Sequence, residues 1–235
     1  MLDRPGHSVF ITASGTGVGK TLVTAALGHQ LNNLGRPVQL LKPVLTGYPP
    51  SVAGEIPDCD VLLEVLDLPL NDSSRDSISP WRFQAPLSPD MAAAKQGRVI
   101  EFDAVCEFCR QPATGTLQLI EGIGGVMVPL TEQHTVLDWI IALDIPSVLV
   151  VGSYLGTISH TLTALGVLNQ RSAPLLGIVV SESADGSVSL QDTCATLANF
   201  WSGPIVSVPR LTGSKPWQSA PDLTGILEPI LSGLS

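Results

Sequence analysis

The stretch SVFITASGTGVGKT, residues 8–21, decides the fold of this chain. It begins as an apolar run of strand length, passes through glycines 15, 17 and 19, and ends in Lys20 and Thr21, where a helical pattern starts. Alternate glycines let successive backbone N–H groups face one anion, and the positive end of the following helix favours the same charge. Apart from Ser14 at the first position, the stretch follows the pattern Gly-x-x-x-x-Gly-Lys-Ser/Thr. We interpret it as a phosphate-binding loop rather than a flexible turn.

Apolar runs of strand length alternate with helical patterns along the rest of the chain, which is typical of βαβ units and a parallel sheet. We predict strands at 8–12, 38–41, 117–120, 147–151, 176–180 and 204–208. Helices are predicted at 21–34, 60–67, 88–96, 101–111, 135–143, 157–170, 187–201 and 221–233. Nearly all the strands are apolar on both faces, as a sheet between two helical layers requires. We therefore expect a single α/β domain over residues 1–235, with a doubly wound, mostly parallel sheet, helices on both faces and the P-loop NTPase architecture.

Composition and charge exclude several classes of partner. The chain has 235 residues, 44% of them hydrophobic, which suffices for a sizeable core. The formal net charge is -9, and the 12 Lys and Arg residues are scattered. We therefore expect no binding to nucleic acid or to an anionic membrane. Residues 1–10 do not resemble a signal peptide and charged or proline residues interrupt the most apolar region, so we expect a soluble, cytoplasmic protein.

The four cysteines agree with a reducing compartment, because they are too few for a disulfide framework in a chain of this length. Cys106 and Cys109 form one C-x-x-C motif within a predicted helix, with no second pair and no His at ligand spacing. A zinc or redox role stays open, but we favour reduced, partly buried thiols.

Three further polar positions follow the phosphate-binding loop along the chain. Lys42 ends the second predicted strand and is expected to point into the same crevice as Lys20, although it could also be a solvated lysine. Asp58 and Asp60 lie at a helix start, where each can be a cap or a metal ligand. Glu121 ends a buried strand and precedes a glycine-rich turn, as the acidic metal-binding residue of phosphate-loop enzymes does.

Taken in order, these segments resemble the dethiobiotin synthetase family over most of the chain. The family's first loop is similar to ITASGTGVGKT, and its Lys-Pro-Val-x-Ser/Thr-Gly element is similar to KPVLTG. DCD resembles its metal-binding aspartate segment, and APLSPDMAA its Pro-x-Ser-Pro segment. IEGIGGVMVPL resembles its Glu-Gly-x-Gly-Gly loop, and VLVVGSYLGTISHTLTAL its Gly-x-x-Leu-Gly-x-Ile-Asn-His helix entry.

The resemblance implies an ATP-dependent ligase that closes the cyclic urea of dethiobiotin from 7,8-diaminopelargonic acid and CO₂ or bicarbonate, in a homodimer. In this family a substrate carbamate attacks the γ-phosphate, and the second amine closes the ring as phosphate leaves. The catalytic residues would be Lys20, Lys42 and Thr16, and Mg²⁺ would be held by Thr21, Asp60 and Glu121. Thr46 and Ser159 would bind substrate. ATP would contact Gly17, Val18, Gly19, Lys20, Thr21, Leu22, Asp60, Glu121, Gly122, Gly124, Ser181, Glu182, Pro209, Arg210 and Leu211.

The chain departs from the family pattern at several positions. Gly15 and Gly17 stand where members often have acidic residues, and Asp90 stands where a histidine is usual. Ser159 replaces an asparagine that binds the substrate carboxylate across the dimer interface, and Ser181 replaces the asparagine that reads adenine. Two alternative functions are a related amidoligase and a partitioning or septum-placing ATPase. The first would be expected to carry a glutaminase domain, and the second a signature lysine early in the loop, where this chain has residues 13 and 14.

Overall fold

The computed structural model describes residues 8–52, 54–112, 115–184, 186 and 188–232. Its main sheet is built from β1 (Ser8–Ala13), β2 (Val38–Leu41), β5 (Leu117–Glu121), β6 (Ser147–Gly152), β7 (Leu175–Ser181) and β8 (Ile205–Val208). The strand order is β2-β5-β1-β6-β7-β8, and every neighbouring pair is parallel. All six strands coincide with the predicted ones to within a residue or two. The predicted doubly wound α/β class is therefore confirmed.

Nine α-helices are present in the described ranges. They are α1 (Lys20–Asn33), α2 (Asp58–Val65), α3 (Asp72–Ile78), α4 (Pro89–Lys95), α5 (Phe102–Cys109), α6 (Val136–Leu143), α7 (Thr157–Gln170), α8 (Leu190–Leu197) and α9 (Glu228–Leu231). Two 3₁₀ turns cover Pro216–Ser219 and Thr224–Leu227. None of the helices among the described residues is long and apolar enough to cross a membrane.

The core lies on both faces of the sheet because the central strands are buried at every position. Phe10 of β1 packs edge to face on Trp139 of α6, with ring centroids 4.9 Å apart at 84°. A Cβ on Gly122 would stand 2.7 Å from Cε1 of Phe10, so the chain can turn after β5 only without a side chain at this position. Burial of one such ring contributes ~1.5–3 kcal/mol. Packing against Phe10 thus favours glycine directly after Glu121.

The segment between Lys42 and Ser88 differs from the prediction. It contains α3 and a second, two-stranded parallel sheet formed by β3 (Val44–Thr46) and β4 (Trp81–Phe83), none of which was predicted. In α3 only Ile78 is buried, so the helix has no apolar periodicity; instead the side chain of Asn71 caps it by accepting from the N–H of Ser74. The two strands have three residues each, too few for an alternation pattern to be read.

The C-terminal prediction of one helix over 221–233 is wrong. The chain there forms the second 3₁₀ turn and the four-residue α9, and residue 233 lies outside the described residues, as does residue 187 at the predicted start of α8. Gln30 of α1 fixes this segment, since its side chain donates to O of Pro221 at 2.8 Å and accepts from N of Leu223 at 2.9 Å. Tertiary hydrogen bonds therefore replace the ladder of a regular helix.

Candidate active site

The loop between β1 and α1 leaves backbone N–H groups free at the start of a long helix. Gly17 and Gly19 have positive φ values of 72° and 97°, and Gly19 caps α1 without a side-chain hydrogen bond. A Cβ on Gly19 would also stand 2.7 Å from Oγ of Ser181, so both the dihedral angle and the close approach require glycine. Val18 is buried, whereas Thr16 is exposed at the mouth of the loop. The loop has the geometry of an anion site at a helix N-terminus.

Lys20 is held within the same loop by carbonyl oxygens. Its Nζ donates to O of Gly124 at 2.8 Å and to O of Gly15 at 3.2 Å, and the residue is buried. Burial, followed by repulsion from Lys42, lowers the pKa of Lys20 to about 8. The neutral carbonyl groups compensate only part of the cost of desolvating the ammonium, so an anion that enters the loop stabilises its charged form.

Lys42 follows β2 directly and its ammonium is also buried. Its Nζ lies 2.7 Å from Oε1 of Glu121, 2.8 Å from O of Gly122 and 3.4 Å from Oδ2 of Asp58. Burial lowers the pKa of Lys42, but the carboxylates of Glu121 and Asp58 outweigh burial and the net pKa is raised. Lys42 is thus a buried ammonium beside Lys20 rather than a solvated lysine at a strand end.

Glu121 reaches the loop because β5 lies directly beside β1, with Glu121 opposite Ile11. The Oε1 atom of Glu121 accepts from Oγ1 of Thr21 at 2.8 Å as well as from Lys42. Its Oε2 atom is buried without a hydrogen-bond partner among the described residues. Burial raises the pKa of Glu121, and Lys42 opposes that shift. A buried, unpartnered carboxylate oxygen next to a threonine hydroxyl is a pair of oxygen donors open to a cation.

The carboxylate of Asp60, a predicted metal ligand, is paired with an arginine. Both of its carboxylate oxygens accept from Arg75, Oδ1 from Nε at 2.7 Å and Oδ2 from NH2 at 2.9 Å, and Asp60 does not line the cavity above the loop. The side-chain hydrogen bonds from Arg75 hold the pKa of Asp60 below its usual value. Asp58, two residues earlier in the same helix, lines that cavity instead. The helix turn thus places only one of the two aspartates beside Thr21 and Glu121.

Two adjoining cavities meet over the phosphate-binding loop. The first, of about 410 Å³, contains the polar groups described above together with Thr46. The second, of about 450 Å³, lies on the other side of the loop. Thr16, Gly17 and Gly19 line both, so the two form one continuous groove across the loop. A groove of this form has room for a triphosphate on one side and a base with its ribose on the other.

The second cavity brings together several of the residues predicted to contact ATP. It is lined by Val18, Leu22, Ser181, Glu182, Pro209, Arg210 and Leu211, with Tyr154, Ser183, Ala184 and Pro216 in addition. The carboxylate of Glu182 already accepts from the backbone N–H of Arg210 at 2.7 Å. No side-chain amide is among the described residues that line this cavity.

Ser159 is another predicted site residue that the structure does not bring to the others. It lies exposed in the first turn of α7 and lines neither cavity. The helix begins after Gly156, whose φ is 97° and which provides no side-chain cap. Next to Ser159, Nδ1 of His160 lies 2.8 Å from the hydroxyl of Tyr154, a contact that orients the tyrosine toward the second cavity.

The C-x-x-C motif is not part of the site. Cys106 and Cys109 are buried in α5, and both are free thiols. Burial raises the pKa of Cys106 to about 11 and that of Cys109 further still. These thiols stay protonated at neutral pH, as the preferred interpretation of the motif requires.

Several lining residues were missed by sequence reasoning. Tyr154 and Pro216 line the second cavity, and Ile123 lines the first. Tyr154 follows β6 closely, so its place at a strand's carboxyl end was a usable indication. No local pattern marks Pro216, because it comes from a distant turn near the C-terminus.

Comparisons with known proteins agree with this geometry. A family profile described as "AAA domain" matches residues 7–218. Among solved structures, the MinC:MinD cell division complex of Aquifex aeolicus superposes with a TM-score of 0.52 at 16% identity, covering 86% of this chain and 81% of that one. At this identity the likeness concerns the fold alone.

Curated relatives give a narrower result. The ATP-dependent dethiobiotin synthetase BioD of Methylobacterium nodulans is 41% identical over 211 residues, 86% of this chain and 93% of the relative. The same-named protein of Acidiphilium cryptum is 44% identical over 191 residues, 80% of this chain and 85% of the relative. That of Phenylobacterium zucineum is 42% identical over 216 residues, 90% of this chain and 92% of the relative. Since both the sequence similarity and the groove over the phosphate-binding loop agree, this chain belongs to the ATP-dependent dethiobiotin synthetase family.

Proposed function

We propose that this chain forms dethiobiotin from 7,8-diaminopelargonic acid, CO₂ and ATP, releasing ADP and phosphate, as one domain over residues 1–235. The observation that carries the proposal is the convergence of two buried ammonium groups, Lys20 and Lys42, on a cavity that adjoins the phosphate-binding loop. Two cations at one site match a reaction in which negative charge develops on a transferred phosphoryl group.

The residues of the first cavity have different roles in the proposed reaction. When a nucleotide enters, Lys20 exchanges the carbonyls of Gly15 and Gly124 for phosphate oxygens. Lys42, fixed by Glu121, faces the γ-phosphoryl group and the substrate carbamate together with Thr16. Thr46 lies on the same wall, where its hydroxyl binds the substrate. Catalysis then consists mainly of positioning and charge stabilisation.

The same cavity fits Mg²⁺. The hydroxyl of Thr21, the unpartnered Oε2 of Glu121 and the carboxylate of Asp58, which replaces Asp60 in our assignment, are hard oxygen donors of the kind that this ion takes. Among the described residues no three His, Cys, Asp or Glu side chains form a cluster able to hold a metal alone. Mg²⁺ is usually bound by one or two carboxylates, and phosphate and water complete its coordination. When bound, Mg²⁺ neutralises charge on the β- and γ-phosphates.

Ser159 requires a second copy of the chain. Because it lies exposed and away from both cavities of its own protomer, we propose that it binds the substrate's carboxylate in the partner's site, at the N-terminus of α7. We expect light scattering to report a homodimer. A fully active monomer at the working concentration would contradict this arrangement.

The direct test is an incubation with 7,8-diaminopelargonic acid, Mg²⁺, ATP and ¹³C-labelled bicarbonate. We expect dethiobiotin in the mass spectrum, with the label in its ureido carbon, and ADP and phosphate formed in equal amounts. Omitting the diamine should stop ADP release. ATP hydrolysis without any dethiobiotin would favour a nucleotide-switched ATPase of the same fold instead.

We propose that the reaction takes place in the cytoplasm, and the four free cysteines support this location.

A further inference from the structure

The ion pair between Asp60 and Arg75 is partly buried and bidentate. The side chain of Arg75 is 18% exposed and that of Asp60 11%, and two parallel N–H donors of the guanidinium meet the two carboxylate oxygens. Such a fork fixes orientation as well as distance, and it is stronger than a single exposed ion pair. It joins the first turn of α2 to α3, two helices that are separated by a turn in the sequence.

The first turn of α2 has no side-chain cap. Its N-cap residue is Pro57, which has no side-chain oxygen for capping. Asp58 and Asp60 both belong to this turn, so any rotation or fraying that frees Asp60 also moves Asp58. Asp58 is the residue whose carboxylate lies 3.4 Å from Nζ of Lys42 and lines the first cavity.

The other end of α3 is attached to Lys42. The carbonyl of Ile78, the last residue of α3, accepts from the backbone N–H of Lys42 at 2.9 Å. Shortly after it, N of Trp81 donates to O of Pro43, and β4 then pairs with β3. One seven-residue helix thus contacts both Asp58's turn, through Arg75, and the backbone that carries Lys42, through Ile78.

We infer that Arg75 is a positioning residue. Its ion pair from α3 to Asp60 fixes the first turn of α2 and so holds the carboxylate of Asp58 at the metal-facing side of the first cavity. The inference rests on the proposed function only in what the cavity binds. It predicts a specific defect, in which the protein keeps its affinity for metal-free nucleotide but loses affinity for nucleotide with Mg²⁺. It also predicts that the defect passes through Asp58.

The experiment is a double-mutant cycle read by calorimetric ADP binding, with Mg²⁺ and with EDTA. Arg75→Gln removes the charge and the fork, and Arg75→Lys keeps the charge with a single contact. The matched control is Asp76→Asn. Asp76 lies on the same helix as Arg75, and its replacement breaks the ion pair to NH2 of Arg82 in β4 without touching α2. The second background is Asp58→Asn.

We expect Arg75→Gln to weaken Mg²⁺–ADP binding about tenfold while changing metal-free ADP binding less than about twofold. Arg75→Lys should lie between wild type and Arg75→Gln, and Asp76→Asn should match wild type. In the Asp58→Asn background, Arg75→Gln should have an effect below about twofold. If Arg75→Gln does not fold, Arg75→Lys serves in the same cycle with a smaller effect of the same pattern.

Three outcomes for Arg75→Gln would overturn the inference: an equal loss of ADP affinity with and without Mg²⁺, an unchanged ADP affinity in both conditions, or the same tenfold loss in the Asp58→Asn background. In each case Arg75 would act on the fold generally or not at all. The readout needs no turnover. If the wild-type protein forms no dethiobiotin, the proposed function fails while the binding cycle still decides the role of Arg75.

Discussion

Replacing Lys42 by methionine should expose how strongly the buried ion pair holds this site. Methionine fills nearly the same volume as lysine but removes the ammonium that lies 2.7 Å from the carboxylate of Glu121. Glu121 is 0% exposed, so its carboxylate would be buried without that cation. Removing one partner of a buried pair costs ~3–5 kcal/mol. For a chain of this size each kcal/mol lowers Tm by about 2–4 °C, so we expect Lys42→Met to melt about 6–20 °C below wild type at neutral pH.

The pH dependence of that loss has a definite sign. Burial raises the pKa of Glu121, and removing Lys42, which opposes the shift, raises it further. A carboxyl whose pKa is raised in the folded state costs stability as pH rises from the unfolded pKa toward the folded one. The gap in Tm between Lys42→Met and wild type should therefore be small near pH 4.5, the reference pKa of the group, and widest above neutral pH.

The matched variant is Lys42→Met combined with Glu121→Gln. Because it removes both charges, we expect it to melt above the single variant. The assay is thermal unfolding followed by circular dichroism across pH. A Tm within about 2 °C of wild type at every pH would refute the reasoning, since it would show that Glu121 is not paired by Lys42 in the folded protein.

Activity gives an independent reading of the same variant. Since Lys42 lies beside the phosphate-binding loop rather than within it, we expect nucleotide affinity to change little and turnover to fall about a hundredfold or more, about 3 kcal/mol of transition-state stabilisation. These two quantities come from calorimetric binding and from dethiobiotin formation. Equal losses in both would mean that Lys42 serves mainly to bind nucleotide.

Three further outcomes follow from the groove. Gly19→Ala should weaken ADP binding about tenfold, because its φ is positive and its Cβ would meet Ser181, whereas Gly15→Ala, with open space around it, should bind normally by the same calorimetry. The kcat/KM values for CTP and GTP should lie within about tenfold of the value for ATP, because Ser181 cannot make the two-point contact of an amide and Glu182 is already hydrogen-bonded. A hundredfold preference for ATP in a competition of the four nucleotides would contradict this prediction. Bound phosphates should raise the pKa of Lys20 above about 8, so ADP affinity should fall as the pH rises past 8 and ADP binding there should take up a proton. Calorimetric titrations in buffers of different ionisation enthalpy detect this proton uptake, and Lys20→Met should abolish it.

The local parts of this protein were determined by the sequence itself. The six strands of the main sheet, the glycine loop and the start of α1 were all predicted because each depends on contiguous residues: apolar runs for strands and alternate glycines before Lys20 for the loop. Gly35 and Gly97 follow the ends of α1 and α4 with positive φ values, a conformation that favours glycine at a helix C-terminus.

The site itself was decided by tertiary structure. Sequence order cannot show that β5 inserts between β1 and β2, yet that insertion brings Glu121 to Thr21 and Lys42. Likewise Asp58 and Asp60 are equivalent helix-start carboxylates until α3, a helix without apolar periodicity, supplies Arg75 to one of them. The reason is physical: a residue's type limits what it can bind, but which of two similar groups meets a given cation depends on contacts between segments far apart in the chain.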